Sequence, residues 1–389
     1  MRYTFLIIII TLLQLFSVGA ALSLRWWLQP WDETVPLLLN GVTIGVFVIS
    51  NGLLLLSRSK LIANSYRWVS GWMLVMHFLV LSALVTSLLY AVYWLVMTLM
   101  GATTELTGMS AFGLRTFFLF IFIGLFIYAL YSAYIPVVRR QTISIDKPMI
   151  EELRVAVASD LHLGRLFGNR AIDKLRYLVV QSKADMLLMP GDIMDDNTQA
   201  FVDYDMQKDL IKLCESLPHG VYATLGNHDL YGHEKPISDS LRGAGVHLLN
   251  DEVWRFIHNE QPIWLVGRFD NHKRARVATS ELLAQVNPSE PIILLDHRPS
   301  DIVEHSQMPI DLQVSGHTHN GQIFPANFIV KAINRLGYGY EAIGQGHFVV
   351  SSGYGFWGIP FRLGSRSEIW LITIKSNMIK SSVSLLGDQ

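Results

Sequence analysis

Residues 153–162 read Leu-Arg-Val-Ala-Val-Ala-Ser-Asp-Leu-His, and this stretch decides the fold class. Its short apolar run is followed at once by Asp160 and His162, as in a buried strand that ends in a functional loop. More short apolar runs end in polar residues, at positions 186–189, 222–225, 292–295 and 312–314. Helix-compatible stretches lie between several of these runs. Strands that alternate with helices predict an α/β layered domain whose site lies at the strand ends.

Side chains that bind metal ions follow all of these runs. In chain order they are Asp160, His162, Asp192, Asn227, His228, Asp229, His297, His317 and His319. Each motif alone is weak, because Asp-x-His and Gly-Asp are common in ordinary turns, but the whole series is not expected by chance. Mixed imidazole and oxygen ligands suit Zn, Fe or Mn. Two cations about 3.5–4 Å apart can clamp the attacking and leaving oxygens of a phosphoester. The sequence therefore predicts a two-metal phosphoesterase in which Asp192, central in the order, is the bridging carboxylate.

The spacing within two of the motifs suggests how the ligands are presented. Asp160 and His162, and likewise His317 and His319, are alternate residues. On an extended strand alternate side chains project the same way, so each pair is expected to face one centre. Glycines precede several ligands, at positions 191, 226 and 316, where tight turns need a permissive backbone.

Together these motifs resemble the full signature of the calcineurin-like metallophosphoesterases, over about residues 150–375. The resemblance implies a four-layered α-β-β-α sandwich with two divalent metal ions at the strand ends. It implies that one ion is held by Asp160, His162, Asp192 and His319, and the other by Asp192, Asn227, His297 and His317. It also implies that His228 contacts the phosphate and protonates or stabilises the leaving oxygen, with Asp229 as its orienting partner. Arg298 and Asp270 are lesser candidates for the same site.

Two stretches, residues 316–325 and 351–368, look more narrowly like a bacterial branch of membrane- or envelope-associated phosphohydrolases. That branch often has Gly-Gly after the second histidine of the His-x-His motif, whereas this chain has Asn320 and Gly321. We expect this departure to affect substrate fit rather than metal binding.

The N-terminal third of the chain is predicted to span a membrane. Apolar runs lie near residues 5–24, 37–56, 69–100 and 113–135, and each reaches the roughly 20 residues that cross a ~30 Å hydrocarbon core. A set of buried core helices, or a cleaved signal peptide for the first run with small residues at 19–21, are the competing interpretations. The predicted organisation is a four-helix transmembrane region at 1–136, a linker at 137–152 and the metallophosphoesterase domain at 153–389.

Lysine and arginine set the expected orientation. They are concentrated in the second connection and after the fourth run, as Arg58, Lys60, Arg67, Arg139 and Arg140. The third connection has neither and contains Glu105. This pattern predicts a multi-pass protein of the bacterial inner membrane with its catalytic domain in the cytoplasm.

Composition limits the partners. The formal net charge of −1 gives no basic excess for a phosphate backbone, so nucleic acid is not an expected partner. The single cysteine, Cys214, excludes an intramolecular disulfide and a thiolate metal cluster. The expected partners are the lipid bilayer and a phosphorylated small molecule or lipid, since similar enzymes include the UDP-diacylglucosamine hydrolases of lipid A synthesis. The alternatives are a cyclic-nucleotide or nucleic-acid phosphodiesterase and a non-catalytic membrane scaffold; the sequence gives no oligomeric state.

Overall fold

A computed structural model describes residues 2–31, 37–58, 65–104, 108–273 and 275–378. The chain forms two compact units, Met1–Ala129 and Leu130–Gln389. Lys60 and Glu105, on which the orientation argument partly depends, lie outside the described residues.

The first unit is built from long apolar helices. They are α1 (Arg2–Leu28), α2 (Leu38–Arg58), α3 (Ser65–Leu99) and α4 (Gly108–Tyr134), whose last turn belongs to the second unit. All four are long and apolar enough to cross a membrane. The predicted set of four apolar helices is therefore confirmed.

Small and polar side chains join the helices of the first unit. The Ser17 hydroxyl of α1 donates to the Ser50 hydroxyl of α2 at 2.8 Å, and the Trp72 indole of α3 donates to the same oxygen at 2.8 Å. The buried cluster around them includes Leu13, Ala20, Val46, Met76 and Phe118. Hydrogen bonds and close packing are the forces available between helices in lipid, where apolar burial adds little.

The second unit consists of strands and shorter helices. The strands are β1 (Val137–Ile145), β2 (Leu153–Val157), β3 (Met186–Pro190), β4 (Val221–Thr224), β5 (His247–Leu248), β6 (Glu252–His258), β7 (Gln261–Gly267), β8 (Ile292–Leu295), β9 (Leu312–Ser315), β10 (Gly339–Ile343), β11 (Gly346–Val350) and β12 (Glu368–Ser376). The helices are α5 (Asn169–Gln181), α6 (Gln199–Asp203), α7 (Gln207–Glu215), α8 (Glu234–Gly243), α9 (Thr279–Leu283), α10 (Ile302–His305) and α11 (Ala326–Ile333).

These elements form the predicted four-layered sandwich. One sheet has the order β1-β12-β2-β3-β4-β5 and the other β10-β11-β9-β8-β7-β6. Alternate residues of each strand point to opposite faces, so Val155 joins the core between the sheets while Ala156 packs under the helices α5, α7 and α8. Helix α9 covers the outer face of the second sheet. The fold class is confirmed.

Residues 137–145, placed in a linker by the sequence analysis, form strand β1. This strand pairs in parallel with β12, and Arg139 forms a 2.9 Å ion pair with the buried Glu368. The polar residues of β1 belong to an edge strand, and its partner β12 lies more than 200 residues later in the sequence. Only two residues separate α4 from β1, so the apolar helix leads almost directly into the sheet.

The sheet topology positions the site. Strands β2, β3 and β4 are mutually parallel in one sheet, and β8 and β9 are parallel in the other. Their carboxyl ends therefore meet at one edge of the sandwich, where loops can gather side chains from both sheets.

Candidate metal centre

The backbone at the ligand positions is left-handed rather than extended. Asp160, His162, Asp192, His317 and His319 have φ values of 52°, 46°, 53°, 70° and 49°. Side chains other than glycine seldom adopt this region, and such residues cluster at functional sites. Strands β2 and β9 have already ended at Val157 and Ser315. The expectation that strand alternation aligns the ligand pairs is therefore wrong, because the ligands lie in irregular loops.

Asp160, His162 and His319 form one group of side chains that could hold a metal ion, called here the first ligand group. The Nε2 atoms of the two histidines lie 3.1 Å apart, and His319 Nε2 lies 3.5 Å from Asp160 Oδ1. The His317 backbone N–H donates to both carboxylate oxygens of Asp160, at 3.0 and 3.1 Å, and fixes that side chain. Asp160 and His162 thus share a centre as expected, although the loop brings them together.

A second ligand group consists of Asp192, His297 and His317. His297 Nε2 lies 3.2 Å from Asp192 Oδ2, which is also 3.8 Å from His162 Nε2 of the first group. His317 and His319 therefore belong to different groups, contrary to the alternation argument. The carboxylate of Asp192 lies between the two groups, where a bridging ligand would have to be.

The donor atoms fit divalent cations. In the part of the chain that the structure describes, Asn227 Oδ1 is buried and has no hydrogen-bond partner. The Asn227 amide nitrogen donates to the Tyr231 hydroxyl at 2.8 Å, which turns the oxygen into the site. Nδ1 of His297 lies 2.9 Å from the Pro190 carbonyl, so the neutral ring would carry its proton there and offer Nε2 to a cation. Buried lone pairs without a proton donor are what a bound cation would satisfy.

Burial keeps several of the histidines in the form that binds metal. It lowers the pKa of His162 and of His317 to about 3, and that of His319 well below its usual value. Burial alone would also lower the pKa of His297, but the Asp192 carboxylate raises it to about 10. Burial raises the pKa of Asp192, yet His297 lowers it by more, so this carboxylate is ionised. His162, His317 and His319 are therefore neutral imidazoles that are ready to bind a cation, whereas His297 has to release the proton that Asp192 stabilises.

Two glycines permit the close approach of the loops. Gly191 has a φ of 84°, and a Cβ there would collide with the His297 ring. A Cβ on Gly316 would collide with the Asp160 carboxylate and the Ser159 side chain. Glycine is therefore required at both positions, as predicted, because any side chain there would collide with a candidate ligand.

His228 is oriented by Asp196, which the sequence analysis does not identify. His228 Nδ1 lies 2.5 Å from Asp196 Oδ1, and a His228 ring nitrogen groups with Asp192 and His162. Burial lowers the pKa of His228, but the carboxylates of Asp196 and Asp192 raise it by more. Asp196 follows Asp192 by four residues, and this spacing is the only signal of it in the sequence.

Asp229 differs from its predicted role as the partner of His228. Its carboxylate accepts hydrogen bonds from the backbone N–H groups of Ile193, Met194 and Gly226, at 2.9 to 3.1 Å. Burial raises the pKa of Asp229 to about 7. This side chain joins the loop after β3 to the loop after β4, so it positions two ligand loops.

Arg362 is fully buried behind the first ligand group. Its guanidinium donates to the carbonyls of Ser352 and Gly355, at 2.7 and 2.6 Å, and its Nη2 lies 3.1 Å from His319 Nδ1. The two hydrogens of Nη2 go to these two carbonyls, so the guanidinium packs against the His319 ring and limits its position. The sequence analysis does not single out Arg362, since the sequence alone does not indicate that an arginine is buried.

The comparisons with known proteins agree with this geometry. The family model described as calcineurin-like phosphoesterase matches residues 153–321. An uncharacterized metallophosphoesterase of Aquifex aeolicus is 33% identical over 263 residues, which are 66% of this chain and 98% of that protein. The chain belongs to the calcineurin-like phosphoesterase family. The resemblance seen in the sequence is confirmed.

Other relatives match over a smaller share of their own length. An uncharacterized metallophosphoesterase of Helicobacter pylori is 32% identical over 240 residues, 60% of this chain and 62% of that protein. A transmembrane protein with metallophosphoesterase domain from Bos taurus is 30% identical over 247 residues, 59% of this chain and 54% of that protein. The matched part of the chain thus spans a little over half the length of these relatives.

Arg298 and Asp270 form a pair beside the phosphoesterase ligands. Arg298 Nε donates to Asp270 Oδ2 at 2.6 Å, and Asp270 is fully buried. Arg298 follows His297 directly in the chain, so the guanidinium is held at the border of the second ligand group.

The side chains of Asp296, Asp301 and His305 also lie close enough together to hold a metal ion. Arg268 Nη1 lies 3.1 Å from Asp296, 3.0 Å from Asp301 and 3.2 Å from His305 Nε2. The guanidinium already supplies the positive charge in this cluster, so it is an ion-pair network under the second sheet.

Proposed function

We propose that this chain is a membrane-anchored phosphoesterase that hydrolyses a phosphomonoester, phosphodiester or pyrophosphate bond with two divalent cations. Membership of the metallophosphoesterase family supports a metal-dependent hydrolase. The observation that supports the two-cation form is the position of Asp192, whose Oδ2 lies 3.2 Å from His297 Nε2 and 3.8 Å from His162 Nε2. One carboxylate thus reaches both ligand groups.

The proposed ligands follow these groups. Asp160, His162, Asp192 and His319 would hold one cation, and Asp192, Asn227, His297 and His317 the other. Bound cations of this kind lower the pKa of a water nucleophile and neutralise charge on the phosphoryl oxygens. Mn, Zn and Fe suit this donor set.

The chain's own residues have distinct proposed tasks. Asp196 holds the Nδ1 proton of His228, which fixes the ring and leaves Nε2 to donate a proton to the leaving oxygen. Arg298, anchored through Nε on Asp270, is the proposed contact for a phosphoryl oxygen. A scaffold that had lost its chemistry should also have lost ligands, whereas every ligand type is present here.

Hydrolysis by the solubilised full-length protein tests the proposal. The protein is freed of metal, then given Mn, Zn, Fe or Mg with an aryl phosphodiester or an aryl phosphomonoester. Metal-dependent turnover that is lost in Asp192→Asn and in His228→Ala is expected. Absence of both turnover and bound metal would favour the membrane scaffold instead.

A lipid-linked substrate is the narrower proposal. It is supported by the four apolar helices and by a relative described as a transmembrane protein. We expect a phosphorylated lipid to be hydrolysed in preference to soluble nucleotides. Equal rates on the two kinds of substrate, with the full-length protein, would remove this preference, and faster hydrolysis of cyclic nucleotides would favour the alternative activity.

The cytoplasmic placement of the catalytic domain in a bacterial inner membrane is also a proposal. It is supported by the arginines after the second and fourth helices. Reporter fusions at the C-terminus test it: a reporter that fluoresces only in the cytoplasm should be active. Activity of a reporter that works only outside the cytoplasm would reverse the orientation.

A further inference from the structure

Helix α11 has its apolar side turned outward. None of its residues is buried, and Phe328, Ile329 and Ile333 are 61%, 60% and 74% exposed. With 3.6 residues per turn these side chains occupy one side of the helix. Asn327, Phe328, Val330 and Lys331 line a cavity of about 580 Å³ together with Tyr338. A helix of a soluble domain normally buries its apolar side, so the exposed Phe328, Ile329 and Ile333 indicate a partner.

The helix adjoins the metal centre. It begins a few residues after His319, and the loop between them is held by Gln322. The Gln322 amide donates to the Trp357 carbonyl at 2.9 Å, and its oxygen accepts from the Trp357 N–H at 2.9 Å. Trp357 is 50% exposed, and its ring centroid lies 6.2 Å from that of His228. An exposed tryptophan therefore stands beside the proposed catalytic histidine.

The loop that contains Trp357 also contacts the end of helix α4. Residues 130–134, the last turn of α4, belong to the catalytic unit. Tyr134 packs edge-on against Phe356 at 5.3 Å, next to Trp357. Arg366 lies over the Tyr131 ring at 4.9 Å and donates to the Tyr131 hydroxyl at 3.2 Å.

This contact locates the bilayer surface. Helix α4 has 27 residues, so at about 1.5 Å per residue it exceeds the ~30 Å hydrocarbon core and its last turn reaches the boundary with water. Tyrosine and tryptophan are enriched at that boundary. The residues that pack on this turn, and the exposed Trp357 beside them, therefore lie close to the lipid head groups.

We infer that α11 and Trp357 form a docking surface for the lipid bilayer, beside the mouth of the metal centre. Amphipathic helices of this kind lie in the membrane plane with their apolar side about 5–10 Å into the interface. The metal centre would then open at the level of the lipid head groups. This inference goes beyond the proposed phosphoesterase activity and does not depend on it.

The test uses the full-length protein in vesicles of phosphatidylcholine and phosphatidylglycerol. Cys214→Ser removes the one native cysteine. Single cysteines are then introduced by Ile329→Cys or Ile333→Cys and labelled with an environment-sensitive fluorophore. Val303→Cys on α10 and Tyr177→Cys on α5 are matched controls, since the native side chains are 60% and 56% exposed.

Labels at positions 329 and 333 should shift their emission to shorter wavelength and lose intensity when doxyl lipids are added. Labels at positions 303 and 177 should do neither. Equal hydration at all four positions would overturn the inference, and so would quenching at all four. A label at 329 that is shielded from water but not quenched by lipid would also overturn it, because another protein segment would then cover α11. Quenching needs no turnover, so failure of the phosphoesterase assay would not affect this result.

Discussion

The carboxylate of Asp196 and the imidazole of His228 form the shortest charged contact of the metal centre, at 2.5 Å between Oδ1 and Nδ1. This bond fixes the ring and determines which nitrogen is left for the substrate. Orienting partners of this type contribute to catalysis through the group that they hold.

We therefore predict that Asp196→Asn lowers kcat by about tenfold to hundredfold with little change in bound metal. The amide leaves the ligands in place but weakens the hold on the His228 proton. Steady-state kinetics with metal analysis checks this. Asp203→Asn on α6, an exposed carboxylate bonded to Gln199, is the control and should behave like wild type. An unchanged kcat in Asp196→Asn would show that the pair does not serve the reaction.

Asp229 should behave differently from Asp196. In Asp229→Asn an amide N–H₂ would face backbone N–H donors, and a lost buried hydrogen bond costs about 1–3 kcal/mol. We expect a lower free energy of unfolding and weaker metal binding, because the loops that hold Asp192 and Asn227 separate. Thermal unfolding and metal titration measure both quantities. A variant with normal stability and metal content but low kcat would restore the orienting role that the sequence predicts.

At the scale of elements, the loop at residues 354–363 connects Arg362, Trp357 and the end of α4. Arg362 Nη2 donates to the carbonyls of Ser352 and Gly355 and lies beside His319 Nδ1, while Nη1 donates to the Ser365 hydroxyl at 3.1 Å. Lysine has one nitrogen and cannot reach all of these partners.

Arg362→Lys is therefore predicted to weaken metal binding about tenfold to hundredfold, the usual effect of removing a group behind a ligand histidine. Metal titration followed by fluorescence or calorimetry measures this directly. Arg335→Lys, at an exposed ion pair with Glu341, is the matched control. Equal affinities in the two variants would mean that Arg362 only supports the loop.

The elements differ in how far they could be predicted. The four apolar helices were predictable because a run of about 20 apolar residues matches a hydrocarbon core, and a helix satisfies its backbone polar groups within the segment. Strand β1 was not predictable, since the sequence of Val137–Ile145 is typical of a polar linker after a membrane helix. These residues become a strand because they pair with β12. Strand formation depends on partners distant in sequence more than helix formation does.

For the whole molecule, residue type and order were enough to predict which side chains gather at the strand ends, because they follow successive parallel strands. The sequence could not show that Asp196 replaces Asp229 beside His228, or that Arg362 lies behind His319. Both depend on backbone paths between loops, and the left-handed residues at the site have no local sequence signal other than their neighbouring glycines.

Metal removal should destabilise the catalytic unit. His162 Nε2 and His319 Nε2 lie 3.1 Å apart beside buried carboxylates. A ligand present at 100 to 1,000 times its Kd stabilises by about 3–4 kcal/mol. Chelation should therefore lower Tm in a scan of the detergent-solubilised protein, and re-addition of Mn should restore it. A Tm that does not respond to chelation would speak against ions bound at these residues.

Two cations joined by Asp192 would be magnetically coupled, and electron paramagnetic resonance of the manganese-loaded full-length protein measures this coupling. We expect two manganese ions per chain with a spin-coupled signal, and loss of the coupling in Asp192→Asn. One ion per chain, or two ions with uncoupled six-line signals in the wild-type protein, would contradict the two-cation proposal.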